Sequence, residues 1–207
     1  MTVDSLGVSI PLSHFDYSRH GTIVAKEILA ERVARYEVYA PLIAQKAKPG
    51  QFVILRLTED GERVPLTIVN HDARRGTITL IVQAVGKSTE YLDSLPIGEQ
   101  ILDVLGPLGN PSEIKYFGRV LVVGGGVGTA VAYPVAKALK EAGNHVTAVL
   151  GARNKALVIL KQELEQVADE LYITTDDGSY GFHGFVTDQL KQLLGNGNTY
   201  QYALAVG

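Results

Sequence analysis

Apolar and polar positions change in short runs along residues 22–105. "TIVAKEILA" and "RVARYEVYA", separated only by Glu31, read as strands, and so does "GQFVILRL" after the turn pair Pro49-Gly50. "PLTIVNHD" and "GTITLIVQAVG", separated by Ala73-Arg74-Arg75, follow, and "EQILDVLG" closes the set. A brief helix is expected over Thr89–Leu95. Short strands at this spacing predict a small antiparallel barrel or sandwich.

From residue 119 the period changes. The apolar run "RVLVVGG" leads into "TAVAYPVAKALKEAG", a helical pattern ending in Gly143. Then come strand "HVTAVLGA", helix "KALVILKQELEQVAD", strand "LYITTDD", helix "VTDQLKQLLG" and strand "YALAVG". Strands that are apolar throughout and alternate with helices predict a parallel, doubly wound sheet. The Gly- and Pro-rich stretch "GPLGNPSEIKYFG", residues 106–118, marks the boundary. The expected division is an arm over 1–21, a barrel over 22–112 and an α/β domain over 113–207. The second domain is expected to be incomplete, because the chain stops at Gly207 just after an apolar strand.

Composition narrows the function classes. The 207 residues suffice for two small domains. A net charge of −3 without a Lys/Arg block lacks the electrostatic footprint of a nucleic-acid binder. No apolar run approaches the roughly 18–20 residues needed to span a bilayer, and no secretory signal opens the chain. The cytoplasm is the expected location. The sequence has no cysteine, so it has neither disulfides nor thiol chemistry. His14, His20, His71, His145 and His183 are scattered without metal-ligand spacing. No nucleophile–base pair stands out, and no catalytic side chain is expected.

"LVVGGGVGTAV", residues 121–131, carries the sharpest chemistry. Glycines at a strand end let the backbone approach a phosphate, and the following helix offers free N–H groups. A plain tight strand–helix turn would look similar. Gly124 and Gly126 fit the dinucleotide fingerprint G-x-G-x-x-G, but Thr129 stands at its third glycine. The acidic residue expected about 20 residues on is replaced by "GARNK", with Arg153 positioned for a phosphate or ribose. "TTDDGSYG" brings Asp176 or Asp177 to the same sheet edge, where either could bind ribose hydroxyls or form an Asp-Gly turn. Tyr180 could shield a nicotinamide. In the first domain, Pro65 suits an edge or a ligand-facing strand, and Thr67 offers a hydroxyl. "AVGKSTEYL" presents Gly86, Lys87 and Ser88 or Thr89 at a helix start, as a second phosphate cradle or as ordinary capping. Two cradles on two domains suggest hydride transfer between two nucleotide cofactors.

These stretches resemble the ferredoxin–NADP reductase superfamily, in which a flavin-binding antiparallel barrel precedes a pyridine-nucleotide domain. Within it, the chain is most similar to the electron-transfer subunits of dihydroorotate dehydrogenase and the small subunit of NADH-dependent ferredoxin–NADP oxidoreductase (sulfide dehydrogenase). "PGQFVIL", "RVPLTI", "VQAVGKST", "GPLGNP", "GARNK" and "ITTDDGSYGFHGFVTD" carry the resemblance along with the glycine loop. It implies that Pro65, Leu66 and Thr67 line the flavin ring and that Val82 and Gln83 contact FAD along their strand. Gly86, Ser88 and Thr89 would hold the FAD pyrophosphate. Gly124, Gly126, Val127, Gly128 and Thr129 would hold NAD(H) or NADP(H), with Arg153, Asp176 and Asp177 around its adenosine or nicotinamide side.

The resemblance also has departures. Arg63 precedes Pro65 by two, but falls one place early when Pro65-Leu66-Thr67 is matched to Arg-Pro-Ile-Ser, and a one-residue slip turns a side chain to the other face. Gln83 replaces an arginine common in the dihydroorotate branch. The family's [2Fe–2S] cluster uses cysteines near the C-terminus, and this chain has none. The implied function is a flavoprotein subunit that passes a hydride between NAD(P)H and FAD and relays electrons to or from a larger catalytic subunit. The alternative is a flavin- or nucleotide-binding module without turnover.

Overall fold

The computed structural model describes residues 2–3, 9–10 and 14–207. Of the arm expected over 1–21, residues 1, 4–8 and 11–13 lie outside the described residues. The chain divides into two compact units, Met1–Pro111 and Ser112–Gly207.

In the first unit β1 (Thr2–Val3) and β2 (Ser9–Ile10) form a short antiparallel pair. Then follow β3 (Ile23–Ala30), β4 (Val33–Tyr39), α1 (Pro41–Ala44), β5 (Phe52–Arg56), β6 (Arg63–Thr67), β7 (Asn70–Asp72), β8 (Thr77–Gln83), α2 (Lys87–Ser94) and β9 (Asp103–Leu108). Two antiparallel sheets, ordered β3-β4-β8-β7 and β6-β5-β9, enclose one barrel-like core. Tyr36, Val38, Ile78 and Leu80 enter it from the first sheet, and Val53, Leu55 and Val104 from the second.

"PLTIVNHD", expected as one strand, is two. Ile68 and Val69 are both buried, which breaks the alternation a single half-buried strand requires. The Ile68 N–H bonds the Gln51 carbonyl just before β5, and the Val69 N–H bonds the Thr79 carbonyl of β8 in the other sheet, so the chain turns a corner there. Helix α1, with Pro41 at its start, was not anticipated.

The second unit holds β10 (Arg119–Gly125), α3 (Gly128–Glu141), β11 (His145–Ala152), α4 (Lys161–Val167), β12 (Glu170–Thr175), β13 (Phe182–His183), α5 (Val186–Gly195) and β14 (Tyr202–Val206). All five strands are parallel, in the order β13-β12-β11-β10-β14. Val120 and Val122 pack with α3 and α4 on one face, while Leu121 and Val123 pack with α5 on the other. The strand order reverses at β10, so the crevice beyond its carboxyl end is a topological switch point.

The helix expected over "KALVILKQELEQVAD" is broken. A 3-10 turn spans Lys155–Leu157, and α4 begins only after Leu160, whose φ is +58°. The cause is tertiary: the Lys155 N–H bonds the Ser179 hydroxyl, and the Arg153 carbonyl accepts from the Asp177 N–H. These bonds commit the segment to the neighbouring loop rather than to a helix. Among the described residues no helix is long and apolar enough to cross a membrane.

Candidate functional site

In the first unit the candidate residues lie on β6, at the end of β8 and at the start of α2. The β5–β6 register is unbroken from Arg56↔Arg63 to Phe52↔Thr67. Arg63, Pro65 and Thr67 therefore share one face of β6, while Leu66 turns back and packs against the core. Arg63 is thus on the face of Pro65 and Thr67, two residues along.

Val82 has its side chain in the core, 4% exposed, and its backbone pairs with Ala34 of β4, so it supports the strand rather than facing a ligand. The Ala84 N–H bonds Arg32 on the β4 side, whereas the Thr79 carbonyl accepts from Val69 on the other. By the alternation of an antiparallel ladder, Ile81 and Gln83 direct their N–H and C=O groups away from β4. The register of β7 on β8 ends at Thr79, so among the described residues that edge has no strand partner beyond it.

Helix α2 starts at this open edge. The Thr89 hydroxyl accepts from the N–H groups of Val85 (3.0 Å) and Gly86 (3.1 Å), closing the loop from within. The N–H groups of Lys87, Ser88 and Thr89 have no carbonyl of the helix to bond. A Cβ built on Gly86 would meet nothing within 4 Å. Donors facing open space at a helix start fit an anionic phosphate group. The Ser88 hydroxyl lies 3.3 Å from the Glu62 carboxylate, which joins the start of α2 to the start of β6. No sequence signal marked Glu62.

In the second unit the glycine loop occupies the switch point. A Cβ on Gly124 would lie 2.7 Å from Thr129 Cα, and one on Gly128 would lie 2.6 Å from the Val206 carbonyl oxygen. These two glycines let strand, loop and helix close on one another. Gly126 has φ +53° with open space before it. Its N–H bonds the Gly151 carbonyl, and the Thr129 N–H bonds the Gly126 carbonyl. Val127 and Gly128 keep N–H groups without a partner among the described residues. The loop fits a pyrophosphate at the mouth of α3. Thr129 itself is 1% exposed, with its hydroxyl buried and unpaired. It supports the loop from beneath.

The loops after β11 and β12 are stitched together. The Asp176 and Asp177 N–H groups bond the Ala152 and Arg153 carbonyls. The Asp177 carboxylate accepts from the Ser179 hydroxyl (2.6 Å) and N–H (2.9 Å), and these bonds hold its carboxyl below the usual carboxylate range. Asp177 is therefore committed to a local turn. Asp176 and Arg153 are exposed and have no side-chain partner among the described residues. Lys155 and Lys161 each place Nζ within 6 Å of the half-buried Tyr180 ring, at 5.6 and 5.7 Å. Among the described residues no group of His, Asp and Glu side chains could hold a metal ion.

Residues 20–112 match the model of the oxidoreductase FAD-binding domain family. The dihydroorotate dehydrogenase B (NAD(+)) electron transfer subunit homolog of Thermotoga maritima is 50% identical over 172 residues, which are 83% of this chain and 61% of that relative. The dihydroorotate dehydrogenase B (NAD(+)) electron transfer subunit of Geobacillus thermodenitrificans is 38% identical over 177 residues, 83% of this chain and 68% of its own length. Among solved structures, that of an NADH-dependent reduced ferredoxin–NADP oxidoreductase superimposes with a TM-score of 0.85 at 47% identity, covering 91% of this chain and 67% of the other. The chain thus spans less than two thirds of the length of the Thermotoga relative.

Proposed function

Since the chain belongs to the family of dihydroorotate dehydrogenase B electron transfer subunits and their homologues, we propose that it is a flavoprotein electron-transfer subunit. It exchanges a hydride between NAD(P)H and FAD and serves a larger catalytic subunit in the cytoplasm. The observation that carries this reading is the pairing, within one chain, of a matched FAD-binding domain with a glycine loop at the switch point of a parallel sheet.

In this reading residues 22–112 hold FAD and residues 113–207 hold the pyridine nucleotide. FAD, when bound, supplies the ring that takes up a hydride and releases electrons onward. The chain binds and orients. Arg63, Pro65, Thr67 and the backbone of Gln83 line the flavin side, with Leu66 and Val82 fixing the strands behind them. Gly86 leaves room for its pyrophosphate, which Ser88 and the N–H of Thr89 hold. Gly124, Gly126, Val127 and Gly128 receive the pyridine nucleotide's pyrophosphate, and Thr129 shapes their loop. Arg153 and Asp176 face its adenosine or nicotinamide side, with Asp177 holding the loop that carries Asp176. The sequence contains no cysteine, so its residues do not fit a [2Fe–2S] cluster and no step runs through one.

The test is a visible spectrum of the purified chain with anaerobic additions of NADH and then NADPH. Flavin bands that bleach with one nucleotide support the proposal and identify the nucleotide. Bound flavin that neither nucleotide bleaches favours a binding module without turnover. A chain that takes up no FAD overturns the flavin assignment.

A further inference from the structure

Helix α2 has only eight residues, too few to persist on its own. Leu92 is its single fully buried side chain, so apolar packing alone leaves its rotation and axial position loosely set. Two polar anchors fix them. Near its start, Glu90 pairs with Arg32, the left-handed residue of the β3–β4 turn. At its end, Asp93 accepts a hydrogen bond from the Tyr36 hydroxyl at 3.0 Å and an ion pair from Lys26 at 3.1 Å. Lys26 Nζ also donates to the Asp93 backbone carbonyl, one of the last carbonyls of the helix, and lies 5.5 Å from the Tyr36 ring centroid. A cation there satisfies an orphan acceptor and complements the helix dipole.

The donors of the anchor belong to the barrel, not to the helix. Lys26 and Tyr36 face each other across the β3–β4 ladder, and Tyr36 is 1% exposed in the barrel core. Burial first, and then the bond to Asp93, holds the Tyr36 phenol well above its ordinary range, so it stays a donor.

We infer that Lys26, Tyr36 and Asp93 are positioning residues for FAD: from the far end of α2 they hold its free N–H groups where the cofactor's pyrophosphate binds. This rests on the flavin reading above. None of the three is among the residues assigned to the cofactor itself.

The test uses the full chain freed of flavin, titrated with FAD and with riboflavin, which lacks the pyrophosphate. Tyr36→Phe and Asp93→Asn each raise the FAD dissociation constant about tenfold and leave that for riboflavin unchanged. Ile78→Val, a core truncation outside α2, lowers the melting midpoint but not the ratio of the two constants. Amide exchange over 87–94 speeds about tenfold in both anchor variants, while β4 and β8 keep wild-type protection. Equal weakening of both ligands, unchanged FAD affinity, or unchanged exchange in α2 overturns the inference. Failure of the flavin reading shows in the wild type alone, as a chain that takes up no FAD, and the inference falls with it.

Discussion

Gly124 and Thr129 meet at the turn from β10 into α3, with no room between them for a methyl group. Gly124→Ala forces backbone apart at the loop proposed to receive the pyridine nucleotide. It is expected to cost about 1–3 kcal/mol of stability in the second unit and to weaken NAD(P)H at least tenfold. Thr129→Val behaves differently. It removes a buried hydroxyl that has no partner, so stability is kept or raised, and nucleotide affinity stays within about twofold. Thermal melting and nucleotide titration of both variants check the pair; a Thr129→Val chain that no longer binds nucleotide would give the hydroxyl a direct role.

Glu62 places a carboxylate 3.3 Å from the Ser88 hydroxyl, at the cradle assigned to the FAD pyrophosphate. Two negative groups there repel each other. Glu62→Gln should tighten FAD about threefold at low salt, with the gain shrinking as salt is added. Fluorescence titration at two ionic strengths decides it.

At the edge proposed for the nucleotide, Arg153 has no carboxylate or ring partner among the described residues, whereas Lys155 and Lys161 flank Tyr180. Arg153→Ala should lower affinity for the preferred pyridine nucleotide about tenfold, as loss of a charge-assisted contact does. Lys161→Ala should instead lower the melting midpoint. Equal effects of the two substitutions on binding would remove Arg153 from the site.

At the amino end of the parallel sheet, Asp169 and Glu170 join Lys140, Arg119, His145 and Tyr172. The hydrogen bond with His145, against burial, lowers the Glu170 carboxyl. For Asp169, burial is the largest influence and pushes upward, but bonds from Lys140 and the Val146 N–H outweigh it. Both folded carboxyls thus ionise below their unfolded values. Their stabilisation is complete above the ordinary carboxylate values of 3.8 and 4.5 and is lost as pH falls through the folded ones. Melting of the wild type should fall steeply below about pH 4.5, and Asp169→Asn should flatten that limb. Identical acid limbs in the two chains would show that the network does not carry it.

What could be read in the sequence was what neighbours in sequence decide. "HVTAVLGA" and "VTDQLKQLLG" form β11 and α5 over their whole length, because period and local packing agree there. "PLTIVNHD" splits because Ile68 and Val69 answer to strands on two different sheets. "KALVIL" fails to form a helix because Ser179, some two dozen residues later, takes the Lys155 N–H. The glycine loop was visible for the same local reason, whereas the inward turn of Thr129 depends on its fit over Gly124. Glu62 and the Lys26–Tyr36–Asp93 anchor left no trace in the sequence, since each depends on partners that only the fold brings together.

The bonds between the loops after β11 and β12 have a consequence for engineering and for evolution. Arg153, Lys155, Asp177 and Ser179 belong to two segments of sequence but to one hydrogen-bonded surface. A graft that exchanges "GARNK" for another protein's loop leaves Ser179 and Asp177 facing strangers. The two loops therefore fold as a matched pair, and a recombination point placed between residues 155 and 176 would separate a lock from half of its key.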